Sequence, residues 1–525
     1  MNLKRSLSLG ACALALSTAS VFATGADAFT KIHHPLGPLK QLAVPEKPYQ
    51  GGRTSGTWTD LKHAFPGTTT GPDTALLQTD GTVLMHEWCT SKWFRLTPDN
   101  KGNYANGTWT NAGSLPSGYF PFFFASEILP DGRMIINGGE YNSSDGNCGG
   151  GAWTNKGALY DNTSDTWVAV SPPAGWSQMG DGQSVVLPKL SYMMANAVTS
   201  QEAIASISGN TVTWTATGTG KGDRNDEEGW TLLPNGKILT VDANRGLTGA
   251  FSFTEIYDPS TGAWTAGPNT TQQMVDAGSH ELGPAVLRPD GTVVQFGGTP
   301  NNNVYDSASN TWSTAPAFPI SGYDVADGPA VLLPSGNVLV EASPGVFNPP
   351  AHFFEFDGTS FTQVTDPTDA PNDTSFEGRF LMLPNGTVLY SNDGQSPTLP
   401  VVSVYTPQGS PDKTWLPKIR SVATTLTRGS TNNAISGKRF NGFSLGASYG
   451  DDVQQHTNYP IVMITNNSTG DVCFGRTHDF STMGVFNTKT MRAKFDVPAS
   501  CEAGASKLRV SVNGIQSKPT AVTLN

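Results

Sequence analysis

Six acidic side chains stand at one recurring place in this chain, ahead of successive copies of a short apolar phrase. Counting seven residues back from the proline of the phrase gives Asp181, Glu227, Asp327 and Glu377. Glu281, preceded by His280, lies one residue further back in its copy, and Asp73 is the nearest acid in the first. The second copy has Phe122 and Phe123 instead. Carboxylates gathered at one point raise each other's pKa, and a bound cation relieves the repulsion. Such a group can hold Ca²⁺ through oxygen ligands. Two of its members can instead act as general acid and base on a glycan. A third reading is structural, because Asp or Glu before Gly is a natural turn start. That reading suits Asp181-Gly182 and Asp327-Gly328 better than Asp226-Glu227-Glu228.

The phrase itself says what positions these acids. Its copies are LLQTDGTVLM, ILPDGRMII, VVLPKLSYMM, LLPNGKILT, VLRPDGTVV, LLPSGNVLV and MLPNGTVLY, starting at Leu76, Ile128, Val185, Leu232, Val286, Leu332 and Met382. Asp-Gly or Asn-Gly between β-rich runs is a hairpin signal, since these residues tolerate positive φ. A strand–turn–strand unit repeating about every 50 residues predicts a seven-bladed kelch-type β-propeller. The third copy, Pro188-Lys189-Leu190, lacks the glycine. A second phrase follows in most repeats: Tyr160-Asp161 with Trp167, Tyr257-Asp258 with Trp264, Tyr305-Asp306 with Trp312, Phe356-Asp357 with Phe361. These read as outer strands carrying core aromatics. The acids precede the innermost strands, so a carboxylate ring is expected at the mouth of the central channel. The closing strand of the last blade is left open between the segments around Trp58 and Trp415.

The 58 Gly, 37 Pro and 14% charged residues suit a turn-dense all-β chain. Residues 1–28 read as a signal peptide, with Lys4 and Arg5 ahead of an apolar stretch and Ala26-Asp27-Ala28 as cleavage site. Residues 29–55 read as a leader, 56–415 as the propeller and 416–525 as a C-terminal domain. Secretion or a periplasmic location follows, with no integral membrane segment. Once Cys12 is removed, four cysteines remain, and proximity favours Cys89–Cys148 and Cys473–Cys501 among three connectivities. A net charge of −11 without a basic cluster argues against nucleic acid as a partner.

Beyond Leu416 the repeat stops, and strand-like runs predict an immunoglobulin-like β-sandwich. Ala447-Ser448-Tyr449-Gly450-Asp451-Asp452, Thr457-Asn458-Tyr459-Pro460-Ile461-Val462, Arg476-Thr477-His478-Asp479-Phe480-Ser481-Thr482-Met483-Gly484-Val485 and Val512-Asn513-Gly514-Ile515 resemble the galactose oxidase and glyoxal oxidase family. The resemblance implies a kelch propeller joined to an early-set immunoglobulin-like domain. It also implies one copper on the propeller axis, held by an early-blade tyrosine, a last-blade Tyr-His pair and a histidine on a C-terminal loop. A cysteine linked to the first tyrosine completes the family's radical cofactor. Only His478 matches a ligand position. The last-blade pair falls on Phe376 and Glu377, and the early-blade tyrosine on Phe122 or Phe123, with Tyr119 off register.

These residues predict an exported, monomeric, carbohydrate-directed protein without the copper site, acting as a non-redox glycan-degrading enzyme. Glu227, Asp327, Glu377, Asp181, Glu281 and His478 are its candidate catalytic residues. Asp73, Tyr119, Phe123, Glu228 and His280 are candidates for contacting a polysaccharide. A non-catalytic glycan-binding or cell-surface protein and a divergent copper oxidase are the alternatives.

Overall fold

The structure, a computed structural model, describes residues 56–149, 153–393 and 402–525. The expected signal peptide and leader lie outside them. Seven antiparallel blades form a β-propeller; six are four-stranded sheets, and the sixth blade belongs to a six-stranded sheet. Their innermost strands are Pro72–Leu77, Ala125–Ile128, Ser184–Val186, Thr231–Leu232, Leu282–Leu287, Pro329–Leu332 and Gly378–Met382. The N-terminal strand Thr57–Asp60 pairs with Val402–Thr406 and closes blade 7, with Trp58 opposite Tyr405. Trp415 is not part of that closure; it packs beside Gly336 and Phe443.

The repeated turn works as the sequence implies. Asp80, Asp131, Asn235, Asp290 and Asn385 each accept a hydrogen bond from the backbone N–H two residues on, at 3.0–3.2 Å. The glycine between them adopts φ of 78–92° in six blades. In blade 3, Leu190 takes that place at φ 76°. The aromatics of the second phrase pair across the outer two strands: Tyr160 faces Trp167, Tyr257 Trp264, and Tyr305 Trp312.

The C-terminal domain is a sandwich made by one strand that changes sheets. The first part of Val472–His478 pairs with Ile461–Asn466, and its last three residues pair with Met491–Asp496. Cys473 and Cys501 are joined here by a disulfide, with Cα atoms 5.6 Å apart. This domain sits on the turn end of the propeller: Ser511 Oγ donates to the Pro384 carbonyl at 2.7 Å, and Thr482 Oγ1 to the Pro188 carbonyl at 2.8 Å.

From there residues 446–459 enter the axis. Ala447–Tyr449 adds a strand to the innermost strand of blade 6. Gln454 bonds Ser126 and Ser184, Gln455 the Ala75 carbonyl, and Tyr459 the Leu77 carbonyl. His456 meets the buried Glu127 at 2.6 Å. The central channel is therefore filled by protein, and its polar groups are matched by those of blades 1, 2, 3 and 6. Among the described residues, no helix is long and apolar enough to cross a membrane.

Candidate functional site

At the end of the axis opposite the turns, the axial segment meets the acids. Carboxylate oxygens of Asp181, Glu227 and Asp451 lie within 4.8 Å of one another. A second group, Glu227, Glu281 and Asp327, meets the same limit and shares Glu227 with the first. All five side chains are buried. Blades 3, 4, 5 and 6 each supply one acid, and the C-terminal segment supplies the fifth.

The backbone is bent to aim them. Glu227 and Asp327 adopt φ of 60° and 53°, and His280, just ahead of Glu281, adopts 72°. A left-handed conformation costs a non-glycine residue about 1–2 kcal/mol, so it persists only where the surroundings impose it. Phe123 adopts the same kink in blade 2, at φ 48°, and stacks on Phe122 at 3.8 Å. Gly450 makes room for the cluster: a Cβ there would stand 2.1 Å from Asp327 Oδ1.

Burial and mutual repulsion dominate the electrostatics. Glu281 is held well above the usual carboxylate range by burial, then by Asp327 and Glu227, to both of which it hydrogen bonds. Asp451 is raised by burial, then by Glu227, Asp452, Asp181 and Asp327. Its Oδ2 atom has no hydrogen-bond partner. Carboxylates so placed keep their protons or take up a cation.

Other expected ring members go elsewhere. Asp73 pairs with the buried Arg379, whose Nε lies 2.9 Å from Asp73 Oδ1 and whose guanidinium covers the Tyr449 ring at 4.1 Å. Glu377 folds back on its own turn and accepts the Thr374 N–H at 2.8 Å. Burial, then Asp393 and Asp373, push it up to about 9. Its place on the axis is taken by the Phe376 carbonyl, which accepts from Tyr449 and Arg379. Glu228 faces away, toward Lys221, as do Asp223 and Glu255. In that group the ammonium stands where a metal otherwise would. Tyr119 is a core residue donating to the Gly138 carbonyl. His280 contacts Asn244 at 3.0 Å.

His478 is at the wrong end of the propeller for the role its sequence position implied. It lies beside the Asp131-Gly132 turn and bonds Asp479 and Asp496 at 3.3 Å. The C-terminal residue that does reach the acids is Asp451. Its signal was the Gly-Asp-Asp run inside the first resemblance motif, a flexible residue ahead of two acids. The expected disulfide Cys89–Cys148 is formed, and it packs with Phe122, Phe123, Phe376 and Tyr449.

Comparison with known proteins adds little here. No family model and no curated protein matches the chain. One solved structure, titled "Structure of YjhT", aligns with 58% of this chain and 99% of its own at 12% identity and a TM-score of 0.40. A match that distant carries no argument about activity. The fold stands on its own strands: a seven-bladed β-propeller with a further β domain, as in kelch-type propellers.

The donor set can be tested against copper. The five gathered side chains offer only carboxylate oxygen. A tetragonal Cu(II) centre wants nitrogen and phenolate donors, and the expected tyrosine positions hold Phe122, Phe123 and Phe376. These residues do not fit a copper-radical centre.

Proposed function

We propose that this chain is an exported, carbohydrate-directed protein of galactose oxidase-like build. It acts without redox chemistry, and its axial centre holds a hard divalent cation of the calcium class in place of copper. The observation that carries the cation is Glu227, shared between two triads whose oxygens lie within 4.8 Å. Two oxygens bound to one Ca²⁺ at about 2.4 Å can be at most about 4.8 Å apart. Paired carboxylates of a retaining glycosidase stand about 5–5.5 Å apart, and those of an inverting one about 6.5–9.5 Å. One oxygen from each carboxylate can therefore reach a shared cation, and cation binding is the first role of these acids.

The carbohydrate half rests on the residues of the resemblance. The Ala447–Asp452 motif forms the axial strand and its acidic tip. The experiment is to load the mature protein with Ca²⁺ and offer soluble polysaccharides, measuring new reducing or unsaturated ends. Turnover that is lost on chelation and in Glu227→Gln supports the proposal. Copper uptake with peroxide release contradicts it. Cation binding with no turnover of any polysaccharide leaves a glycan-binding protein as the function.

A further inference from the structure

A second feature lies on the same face, out at the rim of blade 3. A half-open cavity of about 430 Å³ is lined by Trp176, Trp214, Glu202, Thr217 and Lys221. That volume falls in the range of about 300–1,000 Å³ for small-molecule sites. Glu202 opens the third strand of the blade, and Thr217 ends the fourth. Both ends point to the face of the axial acids, because the innermost strand starts there and neighbouring strands are antiparallel.

Glu202 is nearly inaccessible, at 1% exposure, yet only half of its carboxyl group is used. Oε2 accepts the Trp264 indole N–H at 2.9 Å, while Oε1 has no hydrogen-bond partner. Asn225 is near, but its amide is turned to the carbonyls of Thr199 and Gln201. Gly218 is the cradle for this carboxyl, since a Cβ there would meet Glu202 Oε2. Lys221 does not satisfy Oε1 either; it is held by Asp223, Glu228 and Glu255. Trp214 is anchored by its indole N–H, which donates to the Ser171 carbonyl at 2.8 Å.

We propose that this cavity is a binding subsite for a neutral pyranose ring, with a sugar hydroxyl hydrogen-bonded to Glu202 Oε1 and ring C–H groups against the tryptophans. Indole surface beside a single unpartnered carboxyl oxygen suits a sugar ring, apolar on its face and polar at its rim. Uronates are disfavoured, because the only cation lining the cavity, Lys221, is already engaged by Asp223, Glu228 and Glu255. Residues 221–227 connect this cavity along the chain to the axial Glu227. The subsite does not depend on the axial reading.

The test uses the mature protein and four soluble probes: cellohexaose, mannohexaose, xylohexaose and hexagalacturonate. Binding is followed by tryptophan fluorescence and calorimetry. At least one neutral hexamer is expected to bind saturably. Trp214→Ala and Glu202→Ala should each weaken it at least tenfold, with Glu202→Gln, which keeps an acceptor, in between. Removing Ca²⁺ with a chelator should leave this binding unchanged. Trp214→Phe serves where a Glu202 variant fails to fold, and should bind more weakly than the parent. Binding of no neutral hexamer, preference for hexagalacturonate, or affinity unchanged in the Trp214 variants would overturn the proposal.

Discussion

Asp451 and Glu227 come from opposite halves of the chain, yet their carboxylate oxygens lie within 4.8 Å of each other. The contact exists because the C-terminal domain sends residues 446–459 through the axis and ends that excursion on an acidic tip. Removing either charge should weaken cation binding without unfolding the blades. Asp451→Asn and Glu227→Gln are each expected to lower Ca²⁺ affinity at least tenfold by calorimetry. Circular dichroism should stay unchanged.

Gly450 gives a steric test of the same junction. Its Cβ would collide with Asp327 Oδ1 and approach the Leu282 carbonyl at 3.0 Å. Gly450→Ala should therefore force the tip away from the acids. Stability is expected to fall by about 1–3 kcal/mol, the usual cost of overpacking. Denaturant titration measures it, and Ca²⁺ affinity should fall in parallel.

Several buried carboxyls have raised pKa values, and this sets the sign of the pH dependence. Burial pushes Glu202 and Asp324 up to about 8, Asp373 to about 8, and Glu377 to about 9. The folded state then binds more protons than the unfolded chain between the ordinary carboxylate range and about pH 9. Stability must fall as pH rises through that window. Melting temperatures in chelator should decline from about pH 5 to pH 9. Ca²⁺ binds ionised carboxylates, so added Ca²⁺ should raise the melting temperature most at the alkaline end.

Leu190 stands where six other blades place a left-handed glycine. Its side chain is 37% exposed, so little packing offsets the strain. Leu190→Gly is expected to stabilise the protein by about 1 kcal/mol, seen as a higher urea midpoint with unchanged slope.

The propeller was legible in the sequence because its signal is local. Asp-Gly and Asn-Gly turns, and Tyr or Phe paired with Trp or Phe across two strands, are decided within a dozen residues. The register of the acids was legible for the same reason, and it brings Asp181, Glu227, Glu281 and Asp327 together. What register could not give is which way each side chain turns. Arg379, two residues beyond Glu377, claims Asp73, and the Thr374 N–H claims Glu377. Both depend on neighbours that no periodicity reveals. Asp451 was hidden for a different reason: it reaches the site through tertiary packing from the C-terminal domain. His478 carried the more familiar metal-ligand chemistry and drew the expectation instead. The closing strand was also a long-range choice, settled by the pairing of Trp58 with Tyr405.

The two disulfides tie loops and turns to the fold, Cys501 to the strand Val472–His478 through Cys473. Cys89–Cys148 joins the loops beside Phe122 and Phe123. Reduction of both bonds is expected to cost about 2–5 kcal/mol. A lower melting temperature in reductant checks this. The Cys89→Ala/Cys148→Ala double variant should lose part of it.

The central claim is that carboxylates on the propeller axis hold a hard cation. The most direct measurement is elemental mass spectrometry of the mature protein after equilibration with Ca²⁺ and Cu²⁺ together and removal of free metal. The account predicts at least one calcium per chain, no stoichiometric copper, and loss of the calcium in Asp451→Asn and Glu227→Gln. One copper per chain, or no metal at all, would contradict it.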